Sequence, residues 1–464
     1  MTAHQTDFSK GSVFRNILEV ALPMIVAQVL HLLYNIVDRL YLGRIPGTGA
    51  LALTGVGLCF PIITFISAFS QLFGNGGAPL CSMARGRGDL PEAAKIMGTS
   101  FTMLLLTGSV LTVGGLLFYK PALYALGASD ATFPFAGEYL QIYLCGTLFV
   151  MITLGMNPFI NSQGFGRTGM MTVLLGAVVN ILLDPLFIFT FGMGIRGAAL
   201  ATVLSQCLSA LWVLRFLTGN QAVLRITPAI MRVSPHRLRR IVALGLSNFI
   251  MGITSTLVQS VCNVTTQFWG GDLYVGVMTV LNSVREIVLL PLSGLTSGAV
   301  PVMSFNYGGR AFDRVKKAIR FVILTGAGYT GLIWLVIFCF PGFFMRLFSN
   351  DPVLIKAGVS ALRIYFFGFL LMSLHLTGQS VFLALGRARQ AIFFSLFRKV
   401  IIVTPLTILL PRLWGLGIDG AFWAEPVSNI LSGLLCFATM LCTVVRELNA
   451  GLTREEAPLK REEL

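Results

Sequence analysis

Two aspartates, Asp38 and Asp184, stand inside apolar runs, each a few residues before its run ends. A carboxylate surrounded by hydrocarbon is costly unless it faces a polar cavity or finds a partner. Asn180 precedes Asp184 by four residues and so shares its helix face. Thr202, early in the next apolar run, returns to the same depth. Pro185 has no N–H, so the carbonyl of Ile181 loses its helical donor and is free to coordinate a cation. Two carboxylates, an amide, a hydroxyl and a carbonyl are hard oxygen ligands of the kind that suit Na+ or a proton relay. The competing reading is that both aspartates only cap helices or snorkel to an interface.

A second group of charges lies within apolar runs further on: Arg285, Glu286, Arg398, Lys399 and Glu425. Glu286 and Lys399 fall at similar depth, which predicts a buried ion pair between the eighth and eleventh spans rather than a direct role in coupling or substrate binding. Four aromatics, Tyr34, Phe60, Phe149 and Tyr365, are candidates to line a cavity for an organic ligand, with plain packing as the rival. Pro23 deletes the helix bond to the carbonyl of Glu19 and marks a hinge in the first span. His4, His31, His236 and His375 are scattered and form no metal motif. There is no P-loop and no H-E-x-x-H, so neither ATP-driven work nor an intramembrane enzyme is indicated.

The elements that must position these groups are transmembrane helices. The chain of 464 residues is 55% apolar and 11% charged, far from the roughly 25% charged residues of soluble domains. Apolar runs near the ~20 residues that cross hydrocarbon recur almost throughout. Breaks at Gly, Pro and charge clusters place six spans near 14–41, 50–80, 91–118, 135–160, 168–191 and 197–218. Six more follow near 238–266, 273–302, 314–340, 355–383, 388–411 and 418–445. The first polar residues lead into a run too long for a signal-peptide core, so that span is expected to be retained. The net charge of +15 sits in short loops, with no basic groove or aromatic platform for nucleic acid. Its asymmetry follows the positive-inside pattern and predicts both termini in the cytoplasm, with the loops near Lys120 and Lys356 outside. The eight cysteines lie mostly within apolar runs and lack zinc or disulfide spacing.

The chain also repeats itself. Gly76, Pro79 and Gly86 recur as Gly298, Pro301 and Gly308, and Ile142, Tyr143 and Gly146 recur as Ile364, Tyr365 and Gly368, all at an offset of 222. Gly166-Arg167 and Pro185 recur as Gly386-Arg387 and Pro405. Gly194-Ile195-Arg196-Gly197-Ala198 recurs as Gly417-Ile418-Asp419-Gly420-Ala421. Order kept over so long a stretch signals a true duplication. The expected fold is an all-α membrane protein of twelve transmembrane helices, in two six-helix bundles related by a pseudo-twofold along the membrane normal, with a substrate cavity between them. The bundles are expected at 1–218 and 238–446, joined by a cytoplasmic linker at 219–237 and followed by a polar cytoplasmic tail at 447–464. The repeat does not extend to the acidic residues: Asp38 maps to Ser260, Asn180 to Val400 and Asp184 to Thr404.

Several strings together resemble the multidrug and toxic compound extrusion (MATE) family over nearly the whole chain. They are Ala21-Leu22-Pro23, Asn35 through Gly43 (NIVDRLYLG), Gly164-Phe165-Gly166-Arg167, Asn180 through Pro185 (NILLDP), and the Gly194–Ala199 motif with its second-half echo. The likeness is to the prokaryotic branch with acidic residues in the N-terminal half. The resemblance implies a secondary antiporter of the cell (inner) membrane. It would export amphipathic or cationic small molecules against H+ or Na+ as a monomer, without a cofactor. It places the family's cation site at Asp38, Asn180 and Asp184, and adds Asn157, although a helix count sets that residue nearer the cytoplasm. No metal beyond Na+ at Asp38 and Asp184 is implied. Some branches use second-half carboxylates, which keeps Glu286 and Glu425 in view. A lipid-linked flippase of the same superfamily is the alternative, but it would add helices and a basic central cavity. A channel fits less well, because twin repeats favour alternating access.

Overall fold

The computed structural model describes residues 5–413 and 415–451, and among these the regular structure is helical throughout. The first half contains α1 (Val13–Gly43), α2 (Gly49–Gly86), α3 (Leu90–Ala125), α4 (Phe133–Cys145), α5 (Thr147–Ser162), α6 (Gly166–Pro185) and α7 (Gly194–Thr218). The second half contains α8 (Pro235–Gly308), α9 (Phe312–Cys339), α10 (Pro341–Phe348), α11 (Pro352–Phe366), α12 (Phe369–Ala384), α13 (Ala388–Leu396), α14 (Thr404–Leu409) and α15 (Ile418–Met440). Nine helical stretches are long and apolar enough to cross a membrane, and eleven when the bent pairs α4/α5 and α11/α12 each count as one span. The 74-residue α8 is itself two spans. Gly271, at φ 66° and ψ −166°, interrupts it, in a left-handed region open to glycine, so the described residues hold twelve spans.

The duplication survives as matched close contacts. The α4/α5 pair bends by 58° at Gly146 and the α11/α12 pair by 44° near Gly368. A Cβ on Gly146 would lie 2.6 Å from Cγ2 of Val203 in α7, and one on Gly368 would lie 2.5 Å from the carbonyl oxygen of Pro426 in α15. In each half, a missing side chain lets the sixth span press into the bend. Gly197 and Gly420 repeat the device: a Cβ would meet the backbone of Phe187 at 2.7 Å and that of Leu410 at 2.6 Å.

The chain forms two compact units. One contains the residues up to Phe8 and Leu22–Phe249, and the other contains Ser9–Ala21 and the residues from Ile250 onward. This corrects the expected division at 1–218 and 238–446, because the boundaries run through α1 and α8 instead of through the linker. Glycines at repeat-related positions explain why. In the first unit, α2 receives the start of α8, where a Cβ on Gly76 would sit 2.8 Å from the backbone nitrogen of Gly245. In the second, Gly298 receives the start of α1, where its Cβ would sit 2.5 Å from Cα of Ala21. Such approaches bring whole backbones together, which sequence adjacency does not anticipate.

The 219–237 segment is packed rather than loose. The N–H of Leu224 donates to Oε1 of Gln163 at 2.8 Å, and the hydroxyl of Thr102 donates to the carbonyl of Met231 at 2.9 Å. Ala222 and Leu224 are buried. The 447–464 tail is described only through residue 451 and begins as helix. An apolar cluster of the second unit gathers Val277, Leu281, Val284, Ile337, Leu362, Phe366 and Phe422 from α8, α9, α11 and α15.

Candidate functional site

Two helices supply the acidic groups of the candidate site in the first unit. On α1, Tyr34 and Asp38 are one turn apart, and on α6 the same spacing holds for Asn180 and Asp184. The carboxylates of Asp38 and Asp184 come within hydrogen-bonding reach of each other. Nδ2 of Asn180 donates to Oδ1 of Asp184 at 3.4 Å. Asp184 is fully buried and Asn180 is 2% exposed, so Asp184 does not snorkel to an interface. Neither aspartate forms a salt bridge among the described residues. The adjacent Arg39 instead lays its guanidinium 4.8 Å over the ring of Phe60.

What remains is a surplus of acceptors. Oδ1 of Asp38, Oδ2 of Asp184 and Oδ1 of Asn180 are buried without a hydrogen-bond donor. Buried polar atoms are nearly always paired, so an unsatisfied set of one sign calls for a partner of the other. Immediately after Asp184-Pro185 the backbone widens into a π turn over Leu186–Thr190, with the N–H of Phe191 reaching the carbonyl of Leu186 at 2.9 Å. Pro185 provides no N–H for Ile181, and local π geometry at such a break is a frequent companion of functional positions.

Thr202, expected at this depth, approaches from α7. Its hydroxyl is within hydrogen-bonding reach of Tyr139 and donates to the carbonyl of Ala198 at 3.0 Å. Tyr139 and Tyr143 of α4 are buried and stack at 6.2 Å, with Tyr139 in electrostatic range of Asp38. Sequence reading passed over both tyrosines as members of this site. Their four-residue spacing on one helix face was the available signal, but nothing in it says that α4 faces α1 and α7.

Asn157 is not brought in. Its Nδ2 donates to the carbonyl of Gly169 at 3.2 Å, and Gly169 lies eleven residues before Asn180, about 16 Å lower along α6. The candidate aromatics separate as well. Tyr34 joins the carboxylate cluster, in electrostatic range of Asp38, and its hydroxyl is 3.4 Å from Nε2 of His31. Phe60 holds Arg39, Phe149 is half-buried on α5, and Tyr365 belongs to the second unit. Pro23 lies inside α1, two residues beyond the point where that helix passes from one unit to the other.

The buried charges of the second unit are arranged differently from the expected Glu286–Lys399 pair, which the structure contradicts. Glu286 is exposed. The buried carboxylate is Glu425 on α15, whose Oε1 accepts from Arg398 at 2.5 Å and from Arg285 at 3.0 Å. Arg398 also donates to Oδ1 of Asn429 at 2.9 Å. Arg285 and Glu286 are neighbours, so a 100° step around α8 decides which faces inward. Arg398 and Lys399 sit in a π segment, Phe397–Val403, that ends just before Thr404-Pro405, the repeat counterpart of Asp184-Pro185. Among the described residues, no group of three or more His, Cys, Asp or Glu could hold a metal ion.

The geometry agrees with what the chain is similar to. Multidrug export protein MepA of Staphylococcus haemolyticus is 24% identical over 454 residues, covering 97% of each chain. MepA of Staphylococcus aureus (strain MRSA252) is 23% identical over 459 residues, 98% of each. The solved structure described as the outward-facing conformation of a multidrug resistance MATE family transporter of the MOP superfamily superposes with a TM-score of 0.89. It is 22% identical and covers 98% of this chain and 100% of its own. Another, MATE in the bent conformation, gives a TM-score of 0.90 at 22% identity, covering 97% and 99%. The MatE family model matches twice, over residues 23–186 and again over 248–409, one match to each half of the duplication. On that double match, this multi-pass membrane protein, a transporter and not an enzyme, belongs to the MATE family.

Proposed function

We propose that this chain is a secondary exporter of the cell membrane, moving amphipathic and often cationic small molecules outward in exchange for H+ or Na+ by alternating access. The observation that carries the reading is the acceptor surplus at Asp38, Asn180 and Asp184, three buried oxygens without donors around two facing carboxylates. A proton shared by the carboxylates would convert two acceptors into a donor–acceptor pair. A sodium ion would instead draw on the carboxylates, Oδ1 of Asn180, the Ile181 carbonyl and the Thr202 hydroxyl, an all-oxygen set. Either cation, by binding one conformation better than the other, shifts the equilibrium between them and so drives export.

The substrate class is supported by the relatives, which are named multidrug export proteins. They do not favour the flippase alternative. Pro23 supports a hinge, since a proline, which has no N–H to donate, stands inside α1 close to where that helix changes units. The charge asymmetry of the loops supports cytoplasmic termini, and the chain is read as acting as a monomer.

The test is uptake of a fluorescent organic cation into everted membrane vesicles under separately imposed H+ and Na+ gradients. Asp38→Asn and Asp184→Asn are each expected to abolish gradient-driven uptake while inserting normally, since the amide is near-isosteric and less costly to bury. Normal export by both variants, together with loss in Glu425→Gln, would move the cation site to the second unit and overturn this assignment.

A further inference from the structure

Within the second unit, Arg285, Arg398 and Lys399 surround one carboxylate, Glu425, and Arg285, Lys399 and Glu425 line a small cavity while Arg398 stands behind the carboxylate. Its walls also include Asn282, Gln259 and Tyr365, and it offers about 20 Å³ to the centres of water molecules, room for one or two small occupants. The charges do not balance. Arginine keeps its proton in any protein environment, so Arg285 and Arg398 bring two positive charges against one negative. At least one stays uncompensated whatever the state of Lys399. Among the described residues, neither arginine nor Lys399 has a second carboxylate within ion-pair distance.

The donors that remain free point to what would restore the balance. Lys399 is 7% exposed and lines the cavity, and its ammonium makes no hydrogen bond or ion pair among the described residues. Nδ2 of Asn282 is buried without a partner, while Oδ1 of the same amide accepts from the Tyr365 hydroxyl at 3.3 Å. That bond turns the Asn282 N–H groups away from Tyr365. Nε of Arg398 is likewise buried and unpartnered. The first unit's site leaves three acceptors without donors, and this one leaves Nδ2 of Asn282 and Nε of Arg398 without acceptors.

We propose that this cavity is a binding site for a small monovalent anion, held by Lys399 and the Asn282 amide against the net positive charge of the two arginines. The anion could arrive as a free halide or as the carboxylate of a small organic molecule. Its binding is separate from the cation site and does not depend on the transport reading.

The experiment is calorimetric titration of chloride into the purified full-length protein in a Tris-sulfate buffer free of halide and carboxylate, with acetate titrated in parallel. One saturable site per chain is expected. Lys399→Met should weaken it by tenfold or more, Lys399→Arg should largely retain it, and Asn282→Leu should weaken it by about tenfold, the worth of a hydrogen bond to a charged group. Asn282→Leu leaves every charge in place, so it decides the matter should Lys399→Met fail to fold. Saturation by chloride alone assigns the site to free halide, and saturation by acetate in competition with chloride assigns it to carboxylates. Absence of saturable binding by either, or binding unchanged in both Lys399→Met and Asn282→Leu, overturns the proposal.

Discussion

Replacing Glu425 by Gln removes the single negative charge facing Arg285 and Arg398 while keeping size, shape and one acceptor oxygen. The two contacts at Oε1, 2.5 Å and 3.0 Å, involve side chains that are 6% exposed for Arg398, 25% for Arg285 and 7% for Glu425 itself, so solvent screening is weak. At an effective dielectric of ~20, charges about 4 Å apart interact by roughly 4 kcal/mol. Breaking a buried pair by deleting one partner costs about 3–5 kcal/mol, because the remaining charge stays buried. Glu425→Gln should therefore lower the thermal midpoint of the purified protein by roughly 6–20 °C, taking ~2–4 °C per kcal/mol for a unit of this size. Glu286→Gln, on an exposed side chain, should change it by no more than about 1–2 °C. Fluorescence-detected size-exclusion chromatography after heating reads both. If Glu286→Gln destabilises as much as Glu425→Gln, the buried carboxylate has been misidentified and the charge count behind the anion site fails with it.

Three further outcomes follow from other parts of the fold. Pro23→Ala should insert and express normally yet export poorly in the vesicle assay, and unimpaired transport at equal expression would remove the hinge role. Gly298→Ala should destabilise the protein by about 1–3 kcal/mol, since its Cβ would press on Ala21. Gly328→Ala, where a Cβ meets nothing within 4 Å, should stabilise it by about 0.5–1 kcal/mol, so melting curves should move in opposite directions. Single cysteines placed at Lys120 and Lys356 should react with impermeant reagents from outside, and one in the 219–237 segment only from the cytoplasmic side. The reverse pattern would invert the topology.

Much of this molecule was legible from local quantities. Span length follows from apolar run length, and the gap expected at 267–272 falls where Gly271 breaks α8. The duplication was visible partly because some of its glycines are required by backbone contacts that both halves preserve, as at Gly197, against Phe187, and Gly420, against Leu410. Asp38 and Asp184 stood out because a carboxylate in an apolar run is conspicuous in any fold. Partners were another matter. Glu286 and Lys399 share a depth, but depth leaves rotation about the helix axis open, and one residue along α8 put Arg285 inward in place of its neighbour. Tyr139 and Tyr143 carried no signal of their own until the structure set Tyr139 within reach of Thr202 on α7 and in range of Asp38 on α1. The unit boundaries within α1 and α8, too, were invisible in a chain whose linker looked like the natural division. Hydrophobicity and charge cost are properties of single positions, and the sequence by itself determines them. Which face meets which depends on how whole helices pack, often through glycines that let backbones touch, and only the tertiary structure decides it.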